Sequence, residues 1–302
     1  MSRISRREWH RMMLGGVAAA AASPWRALGA ETDPQRGTRD ARDGRAPRAG
    51  VVIGVQSYSF RDRPLDAAIE GMRADGLTAC ELWQGHVEPQ NGSRDDLRKW
   101  RLTTPLSTFA DIREKFTRAG ITLNAYNLSF RDDFTDEEIA RGFQMADALG
   151  APVLTASANQ SVIPRVAPFA ERAKKKVGVH NHSNIGPNEF ATPDDITKAL
   201  AVSPWIASNL DIGHFTAANF DAVTFLRVHH ARIVTLHIKD RKKNDGDNVP
   251  FGEGDTPIRQ VLQMLRDNHW PIPANIEYEY KGGDTVVEVK RCIDYCKQAL
   301  QA

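Results

Sequence analysis

Asn209-Leu210-Asp211-Ile212-Gly213-His214 begins as an apolar strand and ends in a carboxylate and an imidazole, and this layout decides the fold. Three other stretches repeat it: Val177-Gly178-Val179-His180-Asn181-His182, Thr235-Leu236-His237-Ile238-Lys239-Asp240 and Asn275-Ile276-Glu277-Tyr278-Glu279. Successive strand residues face opposite ways, so His180 shares a face with His182, His237 with Lys239, and Glu277 with Glu279. Val179, Leu210, Leu236 and Ile276 then turn to the other side. Four strands ending in polar, inward-facing groups point to one convergent site. The mixed nitrogen and oxygen donors point to a divalent metal.

Around these stretches, β-type runs alternate with amphipathic helical segments. Strands are expected at 51–58, 78–83, 121–128, 153–157, 177–182, 206–211, 233–238 and 274–278. Helices are expected near 65–74, 107–119, 136–149, 166–176, 193–201, 220–229, 258–268 and 285–300. Gly76, Gly120 and Gly150 each close a helix just before a strand. Eight strand–helix pairs in strict alternation predict a single α/β domain, a (β/α)₈ barrel closed by a parallel sheet. An open, doubly wound sheet would carry a glycine-rich phosphate turn after its first strand, whereas here that turn is Tyr58-Ser59-Phe60-Arg61-Asp62. Long connections at 84–105 and 241–256 are expected to rise over the carboxyl ends of the strands as walls or a lid.

Barrel interiors are filled mainly by bulky apolar side chains, so several ionisable groups there require partners. A metal would supply one. Asp211, His237 and Glu277 come from three consecutive strands with inward parity. His180 is expected as the fourth ligand, with His182 as its substitute if the strand is shifted. His214, three residues past Asp211, is placed in the following loop as a substrate contact. On strand two, Glu81 is a candidate for binding a substrate hydroxyl, and Trp83 either stacks on a sugar ring or simply packs. Lys239 and Asp240 are placed at the mouth, Lys239 as a stabiliser of a developing enolate or as half of an exposed ion pair. Glu279 lies one layer further out than Glu277, as a base, a hydroxyl ligand or a rim charge. Phe251-Gly252-Glu253-Gly254-Asp255 follows no strand, so it reads as a tight turn rather than a phosphate loop.

Ser5-Arg6-Arg7-Glu8-Trp9 resembles a twin-arginine export motif, followed by an apolar run too short to span a bilayer. Residues 1–30 are therefore expected to be a cleaved signal that directs the protein to the periplasm without a membrane anchor. Residues 31–50 are expected to be a disordered linker, and 51–302 the barrel. Removing residues 1–30 takes away five Arg and one Glu: Lys+Arg falls from 40 to 35, Asp+Glu from 38 to 37, and the net charge from +2 to −2. A mildly acidic barrel has no global field for nucleic acid. Cys80, Cys292 and Cys296 are too few for a disulfide framework and read as small core residues.

On Glu81-Leu82-Trp83, His180-Asn181-His182, Leu210-Asp211-Ile212-Gly213-His214, Leu236-His237-Ile238-Lys239-Asp240, Gly252-Glu253-Gly254-Asp255 and Ile276-Glu277-Tyr278-Glu279-Tyr280, the chain resembles the sugar phosphate isomerase/epimerase family of xylose isomerase-like TIM barrels. The resemblance runs from about Val51 to the C-terminus. It implies a divalent cation, commonly Mn²⁺, Mg²⁺, Co²⁺ or Zn²⁺, at positions matching His180, Asp211, His237 and Glu277. In the epimerase branch the strand-five ligand is a glutamate that also serves as one of two opposed bases. This chain has His180 there, a departure that puts two-base inversion in doubt. Exported members of the group resemble enzymes that process 3-keto-glycosides.

The reading reached is a metal-dependent isomerase, epimerase or lyase acting on a small sugar or keto-sugar, with Glu277 or Glu279 taking a proton next to a carbonyl. Two alternatives stand beside it: an endonuclease IV-like phosphodiesterase and a non-catalytic sugar-binding barrel. The first would need further His and Glu ligands on strands two to four, where inward parity offers Asn124 and Tyr126 on strand three and Thr155 and Ser157 on strand four. A homo-oligomer built through the outer helices is also open.

Overall fold

The computed structural model describes residues 50–302. The expected signal and most of the expected linker lie outside the described residues. Eight parallel strands close into a barrel: β1 (Ile53–Gln56), β2 (Ala79–Trp83), β3 (Thr122–Asn127), β4 (Val153–Ala156), β5 (Lys176–His180), β6 (Ile206–Asp211), β7 (Ile233–Ile238) and β10 (Ala274–Ile276). Around the barrel the order is β1-β10-β7-β6-β5-β4-β3-β2, so first and last strands pair, Ile53 with Ala274 and Val55 with Ile276. A two-stranded antiparallel ladder, β8 (Asp240–Arg241) and β9 (Asn248–Val249), organises the connection after β7.

The helices are α1 (Leu65–Ala74), α2 (Arg94–Thr103), α3 (Leu106–Arg118), α4 (Asp136–Ala148), α5 (Ile163–Ala173), α6 (Pro193–Val202), α7 (Ile212–Ala217), α8 (Ala222–His229), α9 (Ile258–Asn268) and α10 (Thr285–Gln301). Their starts carry the side chains that satisfy orphan amides: Thr135 with Glu138 and Thr192 with Asp195 form reciprocal capping boxes on α4 and α6. Gly76, Gly120 and Gly150 have φ of 72°, 73° and 69° behind α1, α3 and α4, as a left-handed helix stop requires. The main core lies between sheet and helices, where Leu82, Leu123, Val177, Leu210, Leu236 and Ile276 meet Phe109, Phe116, Phe143, Leu226, Leu262 and Ile293. Each such side chain contributes about 1.5–3 kcal/mol on burial. Cys80, Cys292 and Cys296 are buried free thiols in this layer. Among the described residues, no helix is long and apolar enough to cross a membrane.

Three expectations change. The connection 84–105 is not a loose lid: it contains α2, which opens with a capping box between Ser93 and Asp96. Apolar periodicity is weak in Arg94-Asp95-Asp96-Leu97-Arg98-Lys99, so the helix escapes a search by hydrophobic pattern, whereas the Ser-x-x-Asp cap marks its start. The second long connection, 241–256, is stiffened by β8 and β9. Finally, the pairing of β2 with β3 slips between Cys80 and Glu81, where Cys80 faces Leu123 but Glu81 faces Ala125. The extra residue reverses the alternation beyond it. Asn127 therefore points into the barrel, donating to Thr155 Oγ1 at 3.2 Å, and Tyr126 packs outside it near Glu88 and Arg101.

Candidate active site at the carboxyl end of the barrel

The lower floor of the site is a polar layer across the barrel. At its centre is Glu81, fully buried. Its Oε1 accepts from Gln56 Nε2 (2.9 Å), Thr155 Oγ1 (2.6 Å) and Asn209 Nδ2 (3.2 Å), and lies 3.0 Å from His237 Nε2. Its Oε2 accepts from Asn275 Nδ2 at 3.1 Å, and Asn275 in turn pairs with Asn124. A carboxylate enclosed by that many donors is satisfied and closed to ligand. Glu81 therefore does not reach a substrate hydroxyl, contrary to the expectation from its parity: period two says which face a side chain takes, not how deep it lies.

Above that floor, one ligand atom from each of His180, Asp211, His237 and Glu277 lies within 4.8 Å of the other three, and all four residues are buried. Neighbouring strands β5, β6, β7 and β10 deliver them. Asp211 is held by its own helix start: Oδ1 caps α7 by accepting from His214 N at 2.7 Å, leaving Oδ2 for the cluster. Gly213 is required in that turn because a Cβ there would lie 2.3 Å from Lys239 Cγ and 2.7 Å from its carbonyl oxygen. His214 thus stands on α7 rather than in a loop.

Does this set fit a cation? His180 Nδ1, Asp211 Oδ2, His237 Nδ1 and Glu277 Oε2 are buried and make no well-directed hydrogen bond. Burial would lower the His237 pKa, but Glu81 and Glu277 outweigh it and keep the ring cationic; with Nε2 held by Glu81, Nδ1 is the nitrogen that would give up its proton to take a cation. Two imidazole nitrogens with two carboxylate oxygens suit a borderline divalent ion such as Zn²⁺, Co²⁺ or Mn²⁺. The residues fit the group. His182 joins a second trio with His180 and His214 instead.

Lys239 is not at the mouth. It is 2% exposed, with Nζ 3.1 Å from Asp211 Oδ2, 2.7 Å from Glu277 Oε2 and 2.5 Å from Glu279 Oε2. Burial alone would lower its pKa, but the three carboxylates outweigh it and keep the ammonium charged. Burial likewise raises the Glu277 carboxyl, and Lys239 and His237 overturn that and hold it well below the usual range. Asp211 is pushed up to about 6 by burial, only partly offset by Lys239. His180 and His214 are kept neutral, first by burial and then by neighbouring cationic groups. His214 sits between Lys239 Nζ (3.2 Å from Nε2) and Arg241 NH1 (2.8 Å from Nδ1). A neutral imidazole has one lone pair, so only one of these donors can be satisfied by it at a time. Asp240 is also buried rather than exposed: it accepts from the amides of Gly252 (2.8 Å), Gly254 (3.0 Å) and Thr256 (3.2 Å) and so pins the turn ahead of α9.

These groups open into a cavity of about 310 Å³, of the size that holds small ligands. His180, His182, His214, His237, Lys239, Glu277 and Glu279 line one side; Gln56, Tyr58, Trp83, Asn127, Ser129, Arg131 and Ser157 line the other. Trp83 is half-buried with its ring held edge-on by Tyr58 at 4.9 Å, leaving part of the ring on the cavity. Gln56, Tyr58, Ser129 and Arg131 were absent from the sequence candidates; Gln56 and Tyr58 carry the same strand-end alternation, one strand earlier. β2, β3 and β4 bring no His, Asp or Glu to the cavity wall, so a multi-metal phosphodiesterase centre lacks its ligands among the described residues.

The arrangement can grip a cation beside a buried ammonium and present a carboxylate to a ligand, in a pocket with one aromatic wall. The family model described as xylose isomerase-like TIM barrel matches residues 69–298. An L-ribulose-5-phosphate 3-epimerase of Escherichia coli is 30% identical over 118 residues, 37% of this chain and 42% of that protein. The chain thus matches less than half the length of that relative. Among solved structures, an L-ribulose 3-epimerase superposes with a TM-score of 0.64 at 13% identity, covering 83% of this chain and 95% of the other. The 3-keto-D-glucoside 4-epimerase of Escherichia coli superposes at 0.63 and 12% identity, covering 83% and 100%.

Proposed function

The chain belongs to the xylose isomerase-like TIM barrel family, and from that premise we propose that it is a sugar isomerase, epimerase or lyase working by proton abstraction next to a carbonyl. The observation that carries the reading is the meeting of His180, Asp211, His237 and Glu277 around one point, open to a sugar-sized cavity. Those four residues would hold a divalent cation, which supplies Lewis acidity towards a carbonyl and its neighbouring hydroxyl. Glu277, kept ionised by Lys239 and His237, is placed to take the α-proton as general base. Lys239 donates to the enolate oxygen that develops. Glu279, paired with Lys239, orients that ammonium and is the alternative to Glu277 as the single base. His182 and His214 contact substrate hydroxyls, and Trp83 offers its ring to a sugar face.

Strand five offers His180 where the epimerase branch has a carboxylate, and an imidazole committed to the cluster cannot also take a proton. One carboxylate base favours isomerisation on one face, or loss of a β-substituent from the enolate. A 3-keto-glycoside suits that second outcome, because its ketone acidifies the C–H next to the glycosidic carbon. Residues 1–30 carry the further reading that the enzyme acts in the periplasm, which cell fractionation of the tagged full-length chain tests.

The test is solvent-deuterium exchange followed by NMR in D₂O, with metal-loaded protein and 3-keto-glycosides or free ketoses. Wild type should incorporate deuterium next to the carbonyl, and the products distinguish reprotonation from elimination. Glu277→Gln should abolish incorporation while the fold is retained. Exchange at the wild-type rate would remove Glu277 from the role of base.

A further inference from the structure

The candidate ligands occupy four consecutive strands, β5, β6, β7 and β10, and hence one half of the barrel mouth. The facing half is built by β1 to β4 and the loops after them. There, among the described residues, Arg131 is the only formally charged side chain lining the cavity. It stands among neutral groups, with Asn127 from the end of β3, Ser129 from its own loop and Ser157 from the loop after β4. Among the described residues its guanidinium enters no hydrogen bond and no ion pair.

The two acids that follow Arg131 in sequence do not neutralise it. Asp132 accepts from Ser161 Oγ at 2.5 Å and from Asn188 Nδ2 at 2.8 Å. Asp133 is taken by Arg94 at 2.6 Å. These contacts tie the loops after β3, β4 and β5 together and anchor the Arg131 loop to α2. Solvation alone explains many surface arginines. Arg131 is itself exposed, but it lines the cavity while both adjacent acids are committed elsewhere. A guanidinium that lines the same cavity as Ser129 and Ser157 can donate two parallel hydrogen bonds to an oxyanion.

We propose that Arg131, with Ser129 and Ser157, binds an anionic substituent of the substrate, a carboxylate or a phosphate ester, at the end remote from the reacting carbonyl. The inference rests on the sugar reading above and narrows its substrate class to acidic sugars. The carbonyl end lies at the ligand cluster, Trp83 and Tyr58 flank the body of the sugar, and the anion reaches across to Arg131. Binding energy at that remote group orients the reacting carbon over Glu277.

The experiment uses a matched ketose series that differs only at C6: D-fructose, D-fructuronate and D-fructose 6-phosphate, titrated into the metal-loaded full-length protein by calorimetry. At least one acid is expected to bind about tenfold or more tightly than D-fructose, a difference of about 1.4 kcal/mol. Which acid gains identifies the carboxylate or the phosphate as the preferred group. That advantage should vanish in Arg131→Ala, survive in part in Arg131→Lys, and shrink as salt rises from about 20 to about 200 mM. Equal binding of all three sugars overturns the inference and leaves the sugar site standing. A preference for the acids that survives in Arg131→Ala also overturns it, because the anion is then held by the cluster. If none of the three sugars binds, the sugar reading itself fails and takes the inference with it.

Discussion

Glu81 Oε1 lies 3.0 Å from His237 Nε2, and neither side chain is more than 1% exposed. An acceptor on Nε2 holds a proton on that side, so Nδ1 is the nitrogen that would exchange its proton for a cation. Replacing Glu81 by Gln keeps the volume but puts an amide donor among five donors. Glu81→Gln is expected to weaken binding of Mn²⁺ by about 10–100-fold, the usual cost of losing such an outer partner. Electron paramagnetic resonance titration measures it. An unchanged affinity in a folded variant would show that Glu81 serves the barrel layer alone.

Four buried ligand atoms that lack well-directed partners should gain stability when a cation joins them. With divalent metal at about a hundredfold above its Kd, the folded state should be stabilised by about 2.7 kcal/mol relative to chelator-treated protein. Asp211→Asn retains an oxygen to cap α7 but removes the charge, so this increment should fall sharply. Thermal unfolding with and without metal reads it directly, and identical melting curves for the two states of wild type would argue against the site.

Asp75 caps the end of α1, is 5% exposed, and has one carboxylate oxygen, Oδ2, without a partner. Burial pushes its pKa up to about 6, with Lys290 pulling only weakly the other way. Because its folded pKa exceeds the unfolded value of about 3.9, the native state binds more protons between these values. Stability contributed by the neutral carboxyl is therefore present at low pH and lost as pH rises through about 6. Asp75→Asn should stabilise the protein by about 1–3 kcal/mol at pH 8 and have little effect near pH 4, as judged by urea unfolding. An equal shift at both pH values would contradict the assignment.

Arg101 makes two 2.7 Å hydrogen bonds to Glu88, with both side chains almost fully enclosed, and also contacts Glu138. This buried cluster locks α2 against α4 and holds the wall that follows Trp83. Arg101→Ala should destabilise the fold by about 3–5 kcal/mol, since it leaves the Glu88 carboxylate out of water without its cation, whereas Glu138 keeps Arg94 and Arg98. Arg101→Met combined with Glu88→Gln should cost much less. Urea denaturation midpoints separate these cases, and a mild effect of the single change would mean that water re-enters the pocket.

Much of the barrel was legible because its signals are local. Helix stops at Gly76, Gly120 and Gly150, and apolar-to-polar strands ending at Asp211 and His237, each depend on a few neighbouring residues. Three features were not legible. The slip opposite Cys80 exchanges Tyr126 for Asn127 on the inner face, and it depends on how two strands meet rather than on either alone. The charged α2 is held by tertiary ion pairs to Glu138 and Glu88, not by an apolar stripe. Arg131 follows β3 in an irregular loop, where no periodicity assigns a side-chain direction.

The order of the amino acids determined the eight-fold alternation, and it determined which strand ends carry acids and imidazoles, since backbone pleat and helix pitch impose those periods locally. Depth and company were decided by closure of the sheet. Only the registers between strands far apart in the chain put Glu81 beneath the cluster, Lys239 inside it and Arg131 across from it. The physical reason is that desolvation and charge pairing depend on distances in space, which no local period encodes.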